Sequence, residues 1–399
     1  MKRRTVVRAI GGASGGALAG LAGCTTRNGD DEPPDGPDDE DTEPEDPDHD
    51  GTLRIATYRS MVTGTNPAGP WLAEAFEETY PDAEIEWVLP ESGVEHYVRR
   101  GEYDTEIDVD VLFGFTVGDL ARIDDRVGAG GLLRELNLKR VEGAERIRDG
   151  LDLGDPHNRA LTYDAGYVSL VYDERELDAP DTFAELLEDE YEDTLLAQHP
   201  GTSIPGQAFL LWLIETAGPD DALEYWEELA ANGVRIHESW SDAYNDAYMG
   251  EERPMVVSYS ADPVFAAAEE YDMERHRVAF PNDEGYAVPE GMGIFEGARA
   301  PDLAYAFLEF VLSTEAQIEL ARRNVQFPAI RDVELHPAFG EYRREPPEPV
   351  SISYTELRGS IGDWLGDWTD RFDEHLVEDG DGNGDGDGTE NGNGDEDGN

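Results

Sequence analysis

The sequence predicts an α/β protein of two lobes joined by a hinge. Three observations predict it. Strand-like and helix-like patterns alternate along residues 52–377, the alternation falls into two blocks, and the last stretch returns to the character of the first.

The first block opens with Thr52 to Tyr58 (TLRIATY), which alternates like a half-buried strand and runs into a polar loop. Pro70 then starts a helix in which Leu72, Phe76 and Tyr80 fall at helical spacing with glutamates on the opposite face. A strand over Ala83 to Leu89, a helix near Val94 to Arg100 and a strand over Val109 to Phe113 complete the block. Parallel strands joined by helices place ligands at the strand C-terminal ends. Arg59 and Ser60, after the first strand, and Gly114 to Thr116, after the third, would then face one cleft.

The second block starts near Asp164 with the apolar strand Gly166 to Tyr172 and continues with a strand over Thr194 to Gln198. Helices over Gln207 to Glu215 and Asp220 to Ala231, a strand Val234 to His237, a helix near Asp242 to Met249 and the strand Met255 to Tyr259 follow. Amphipathic helices over Pro301 to Leu312 and Glu315 to Arg322 return to the first lobe, and a helix near Ile361 to Leu376 closes the fold. Its Trp364, Trp368 and Phe372, four residues apart, read as core anchors. The expected lobes are therefore 52–163 with 261–377, and 164–260. Two crossings between lobes make a hinge, and a hinged cleft can close on a ligand.

The ends of the chain read differently. Arg3-Arg4 precede an uncharged run from Ala9 to Gly23, too short and Gly-rich for a spanning helix, which needs about 20 apolar residues. Paired arginines before such a run read as a twin-arginine export signal. Leu21-Ala22-Gly23-Cys24 resembles a lipoprotein processing box, and Cys24 is the only cysteine. Residues 1–24 are thus expected to be the signal, with lipidation at Cys24 holding the protein at the outer face of the cytoplasmic membrane. Residues 25–51 and 378–399, dominated by Asp, Glu, Pro, Gly and Asn, cannot bury enough apolar surface to offset ordering entropy and are expected to be disordered.

The chain carries 91 acidic and 30 basic residues, a net charge of −61, with Lys2 and Lys139 the only lysines. Such a field repels nucleic acid and anionic membrane surfaces. The charge is spread along the chain, as in proteins of extreme halophiles, where salt at about 1 M screens repulsion within about 3 Å. It reports habitat and not mechanism.

At this point the sequence becomes recognisable. It resembles the thiamine-binding solute receptors of ABC transporters from about Thr52 to Trp368. The likeness is carried by Tyr163-Asp164-Ala165-Gly166-Tyr167 with Val171-Tyr172-Asp173, by Thr202-Ser203-Ile204-Pro205-Gly206 before an apolar helix with Trp212, by Ser239-Trp240-Ser241-Asp242-Ala243-Tyr244, and by Ser258-Tyr259-Ser260-Ala261-Asp262-Pro263. Gly69-Pro70 and Phe327-Pro328 also fit. The resemblance implies a type II periplasmic-binding-protein fold, a monomeric receptor without a cofactor, thiamine or its phosphates as ligand, and delivery to a membrane permease.

The chemistry of the matched residues suits that ligand. Trp240 and Tyr259 can stack on a ring or face the thiazolium, a desolvated cation–π contact being worth about 2 kcal/mol. The resemblance implies a further stacking aromatic at Phe265. Thr202 and Ser203 precede a helix, where hydroxyls and free N–H groups suit a phosphate or hydroxyl tail. Asp262 can balance a cationic ring; the plainer alternative in so acidic a chain is a solvated surface carboxylate. The chain departs from the family pattern at Arg59, where an acid is expected, at Val325, where an aromatic is expected, and at Gly114 to Val117, which lacks an expected acid. Arg59 would repel a thiazolium but can hold a phosphate bidentately.

Other classes fit less well. A ferric receptor would want neighbouring tyrosines, and no Tyr-Tyr pair occurs; a polyamine receptor would use an aromatic and acidic cleft. The eight histidines are scattered without H-E-x-x-H spacing, and no G-x-S-x-G elbow or P-loop occurs, so the sequence does not read as an enzyme. Asp379, Asp381, Asn383, Gly384 and Glu390 match a calcium-loop pattern, but Gly386 stands at its apolar position, as a repetitive acidic tail yields by chance.

Overall fold

A computed structural model describes residues 49–375, apart from 65, 336, 373 and 374. Arg3-Arg4, Cys24, most of the acidic spacer and the tail with its calcium-loop match lie outside the described residues. Among the described residues no helix is long and apolar enough to cross a membrane.

Eleven strands form one sheet: β1 (Gly51–Ala56), β2 (Ala83–Val88), β3 (Val111–Phe115), β4 (Leu161–Tyr172), β5 (Leu195–Gln198), β6 (Arg235–His237), β7 (Met255–Tyr259), β8 (Arg277–Ala279), β9 (Glu284–Ile294), β10 (Phe327–Pro328) and β11 (Glu348–Val350). The main path runs β2-β1-β3-β9-β4-β7-β5-β6. Its two ends are parallel, β2-β1-β3 on one side and β7-β5-β6 on the other, each covered by helices. These are the two lobes of a type II periplasmic-binding-protein fold.

Two long antiparallel strands tie the lobes together. β4 pairs with β9 from Leu161–Met292 to Val168–Tyr286, and its far end pairs with β7 and β8. β9 meets β3 at its C-terminal end and β11 at its N-terminal end. The chain thus crosses out through β4 and returns through β9, and β8, on the stretch between β7 and β9, pairs with the far end of β4.

One apolar cluster lies within the first lobe and a larger one runs from the first lobe into the second, both built from the alternation and helical spacing that the sequence displays. In the first, Leu72 and Phe76 of helix Ala68–Thr79 bury against Leu53, Ile55 and Phe307. The Phe76 and Phe307 rings meet edge to face at 5.6 Å, an arrangement worth about 0.5–1.5 kcal/mol beyond area burial. In the second, helix Ile204–Ala217 is apolar almost all round and is enclosed accordingly. The closing helix Ile361–Phe372 buries Trp368 against Trp226, with ring centroids 5.3 Å apart, so Trp368 and Phe372 are core anchors as read, while Trp364 is half-buried against that core.

Candidate functional site

Both lobes contribute to a cleft of about 550 Å³ at the C-terminal ends of β1, β3 and β5. The first lobe supplies Thr57 and Tyr58 after β1, the loop from Pro90 to Val94, and Gly114. The second supplies Pro200 to Ile204 and Gln207. Gly114 has φ +92, and a Cβ there would stand 2.3 Å from the Tyr58 ring. Only glycine lets Tyr58 lie along the end of β3.

Ser203 is the N-cap of helix Ile204–Ala217, yet its hydroxyl makes no capping bond. The Oγ is buried and unpartnered, beside N–H groups that no earlier turn can satisfy. That is a helix end prepared for an anion or a hydroxyl. Thr202 is exposed and donates its hydroxyl to the Glu238 carbonyl at 2.6 Å. Across the cleft, Glu95 accepts from Arg122 at 2.9 Å and from Arg99 at 3.1 Å. Burial works to raise the Glu95 carboxyl, but the surrounding guanidinium groups outweigh it and hold it low.

Behind Tyr58 lies a cluster on the two connecting strands. Asp164 and Glu290 stand directly opposite each other in the β4–β9 ladder, both buried. The Tyr163 hydroxyl donates to Glu290 Oε2 at 2.6 Å, and the Tyr58 and Tyr163 hydroxyls lie 3.2 Å apart. Asn324 donates to Asp164 Oδ2 at 2.8 Å and to the Tyr58 hydroxyl at 3.0 Å. Burial, reinforced by Glu290, pushes the Asp164 carboxyl up, and burial pushes Glu290 up. Burial also raises the Tyr58, Tyr163 and Tyr259 hydroxyls, so they stay protonated.

The residues that the sequence singled out are spread over several settings. Trp240 is half-buried, stacked on Tyr244 at 4.9 Å, and donates its indole N–H to Ser258 Oγ at 2.8 Å. Ser258 in turn donates to Asp262. Asp262 is buried, not solvated, and burial pushes its carboxyl up to about 7. The half-buried Tyr259 ring covers Gly166, where a Cβ would come within 2.7 Å of it. Phe265 meets Tyr271 edge to face at 6.0 Å. Arg59 and Ser60 are exposed one and two residues beyond Tyr58 and are not among the cleft-lining residues.

Thr116 lines a smaller cavity of about 200 Å³ beside Gln207, and its hydroxyl belongs to the capping box of helix Val117–Arg126, bonded to Asp119. Val325, between Asn324 and Gln326, has φ +54, a left-handed conformation that a β-branched residue adopts only under strain of about 1–3 kcal/mol. Sequence reasoning missed Glu290 and Asn324 and gave Asp164 no role. The signal for Asp164 was present: one carboxylate inside an otherwise uncharged buried strand.

Comparison with known proteins agrees with this architecture. The thiamine-binding periplasmic protein of Escherichia coli K12 is 27% identical over 317 residues, 79% of this chain and 92% of the relative. Its counterpart in Brucella suis is 28% identical over 320 residues, 79% of this chain and 91% of the relative. A solved periplasmic thiamin-binding protein superposes with a TM-score of 0.70 at 25% identity, covering 82% of this chain and 97% of its own. The family described as bacterial extracellular solute-binding protein matches residues 129–346. That match spans more than half of the sequence, so this chain belongs to the bacterial extracellular solute-binding proteins, receptors that hold a solute and catalyse no reaction.

Proposed function

We propose that this chain captures thiamine or a thiamine phosphate and delivers it to the permease of an ABC importer. The observation that carries this reading is the extent of the likeness, over nine-tenths of relatives that are named for thiamine binding. The cleft suits such a solute: Ser203 offers an unpartnered hydroxyl and a helix N-terminus for a hydroxyl or phosphate tail. Trp240, Tyr259 and Phe265, outside the cleft lining, would offer ring faces, Thr202 and Ser60 would offer hydroxyls, and Asp262 is linked to Trp240 through Ser258. Arg59, exposed and without a carboxylate partner among the described residues, would reach a phosphate as the lobes approach. Thr116 caps the helix beside the cleft and makes no contact with the solute in this reading.

In this reading the lobes, 52–163 with 261–377 and 164–260, close about β4 and β9, and a lipid on Cys24 keeps the monomeric receptor beside its permease. A polyamine or another small cation is the second reading, favoured by the buried Asp164 and Glu290.

Calorimetric titration of the protein in molar salt with thiamine, thiamine monophosphate and thiamine pyrophosphate tests the proposal. Binding at or below about 1 μM, roughly −8 kcal/mol, is expected, with Trp240→Ala losing it. Absence of binding by all three would sink the thiamine assignment and leave the receptor family standing.

A further inference from the structure

Asp164 and Glu290 form a buried carboxylate pair with no basic partner. They are cross-strand neighbours on β4 and β9, 1% and 3% exposed. Among the described residues no Arg, Lys or His pairs with either. Their contacts are neutral: the Tyr163 hydroxyl on Glu290 and the Asn324 amide on Asp164. Burying carboxylates without a compensating charge is costly, so such a pair retains a proton or acquires a cation.

A second observation points to a ligand. Asp164 Oδ1 has no partner, and neither does the buried Gln326 Oε1. Gln326 Oε1 stands 2.6 Å from where a Cβ on Gly166 would be. Gly166 is two residues beyond Asp164, hence on the same face of β4. Tyr259, opposite Val168 in the β4–β7 ladder, lays its ring over Gly166 on that face. Two unsatisfied acceptor oxygens and an aromatic ring thus converge beside an uncompensated acidic pair. Tyr58, which lines the cleft and bonds Asn324 and Tyr163, connects this place to the solute site.

We propose that the Asp164–Glu290 pair, with Gln326 Oε1 and the Tyr259 ring, is the subsite for the positively charged or amino-bearing ring of the solute. This rests on the reading of the cleft as a solute site, and it assigns the acidic counter-charge that Arg59 denies the end of β1. In the empty receptor the pair keeps a proton; the incoming cation displaces it. Burial raises both carboxyls, so affinity rises with pH as the pair becomes easier to deprotonate. The groups facing the pair are Tyr58, Tyr163, Tyr259, Asn324 and Gln326, with the Asp119 and Asp262 charges farther off. None of these supplies a positive charge.

The test is calorimetry of the full chain with thiamine at pH 5.5 to 8, in paired buffers of different ionisation enthalpy, on wild type, Asp164→Asn and Glu290→Gln. Both substitutions are isosteric, and circular dichroism checks the fold. Expected are release of about one proton or a fraction of one per bound thiamine near neutral pH, and a loss of about tenfold or more in affinity for Asp164→Asn. Affinity within about twofold of wild type in both variants, or binding without proton release in wild type, overturns the subsite. If wild type ignores thiamine, the thiamine reading fails separately. The subsite is then decided by thermal shifts with methylammonium, choline and putrescine at fixed ionic strength. A shift in wild type that Asp164→Asn lacks sustains it, and no shift from any of the three overturns it.

Discussion

At the scale of single residues, Asp262 illustrates how a side chain that the composition marks as ordinary acquires chemistry from its setting. In a chain with 91 acidic residues a carboxylate is by default solvated, yet this one is buried, receives the Ser258 hydroxyl and is pushed by burial from 3.8 to about 7. Its folded-state value lies above its unfolded one, so the folded chain holds the proton more tightly. The stability contribution is therefore fully present below pH 3.8 and is lost as pH rises through about 7. The loss is at most about 4 kcal/mol at about 1.4 kcal/mol per pH unit. Denaturant melts across pH 4 to 8 are expected to show this decline in wild type and to show it reduced in Asp262→Asn. Equal slopes for the two proteins would mean that the burial of Asp262 carries no such cost.

At the scale of elements, Thr116 and β9 mark where sequence patterns inform and where they stop. Thr116 follows a strand that faces the cleft, so a ligand role was a fair expectation. The hydroxyl instead closes a reciprocal cap with Asp119, a four-residue T-x-x-D pattern that was readable as a helix start. Thr116→Ala is thus expected to cost about 1 kcal/mol of stability and to leave solute affinity unchanged within about twofold. A large affinity loss with intact stability would restore the ligand role. β1, β2, β4 and β7 were legible because alternation or an unbroken apolar run survives in them. β9 was not: EGYAVPEGMGI carries three glycines and Pro289, which ordinarily speak against a central strand. The structure accommodates them where the β4 ladder shifts register between Thr162 and Asp164, beside the place where Pro289 pairs with Ala165. Close packing there is the property that sequence cannot display: a Cβ on Gly291 would meet the Phe115 ring at 3.0 Å, and one on Gly293 the Arg159 carbonyl at 2.9 Å. The acidic pair was hidden for the same reason, since Glu290 lies inside the strand that did not read as one.

At the scale of the whole molecule, the C-terminal segment from β11 onward bridges the two lobes behind the cleft. β11 pairs with the second-lobe end of β9, and the Tyr354 hydroxyl then donates to Asp124 of helix Val117–Arg126 in the first lobe. Asp124 is itself held bidentately by the buried Arg159 at 2.5 and 2.7 Å. Arg358 reaches Asp125 at 2.5 Å, and Trp368 seals Trp226 of the second lobe. A segment anchored on both lobes at the back resists their separation, while the cleft at the front takes none of its lining from residues 348–372. Stability and solute binding should therefore come apart. Tyr354→Phe removes the hydrogen bond to the buried Asp124 carboxylate and the one accepted from Arg358, and is expected to cost about 1.5–3 kcal/mol. Ending the chain after residue 347 exposes Trp226 and should lower the melting temperature further. In both variants, wherever the protein remains folded, solute affinity is expected to stay within about twofold of wild type. Affinity that falls in step with stability would instead mean that the strap sets the open-to-closed balance, because only a change in that balance could weaken binding from a surface the solute never touches.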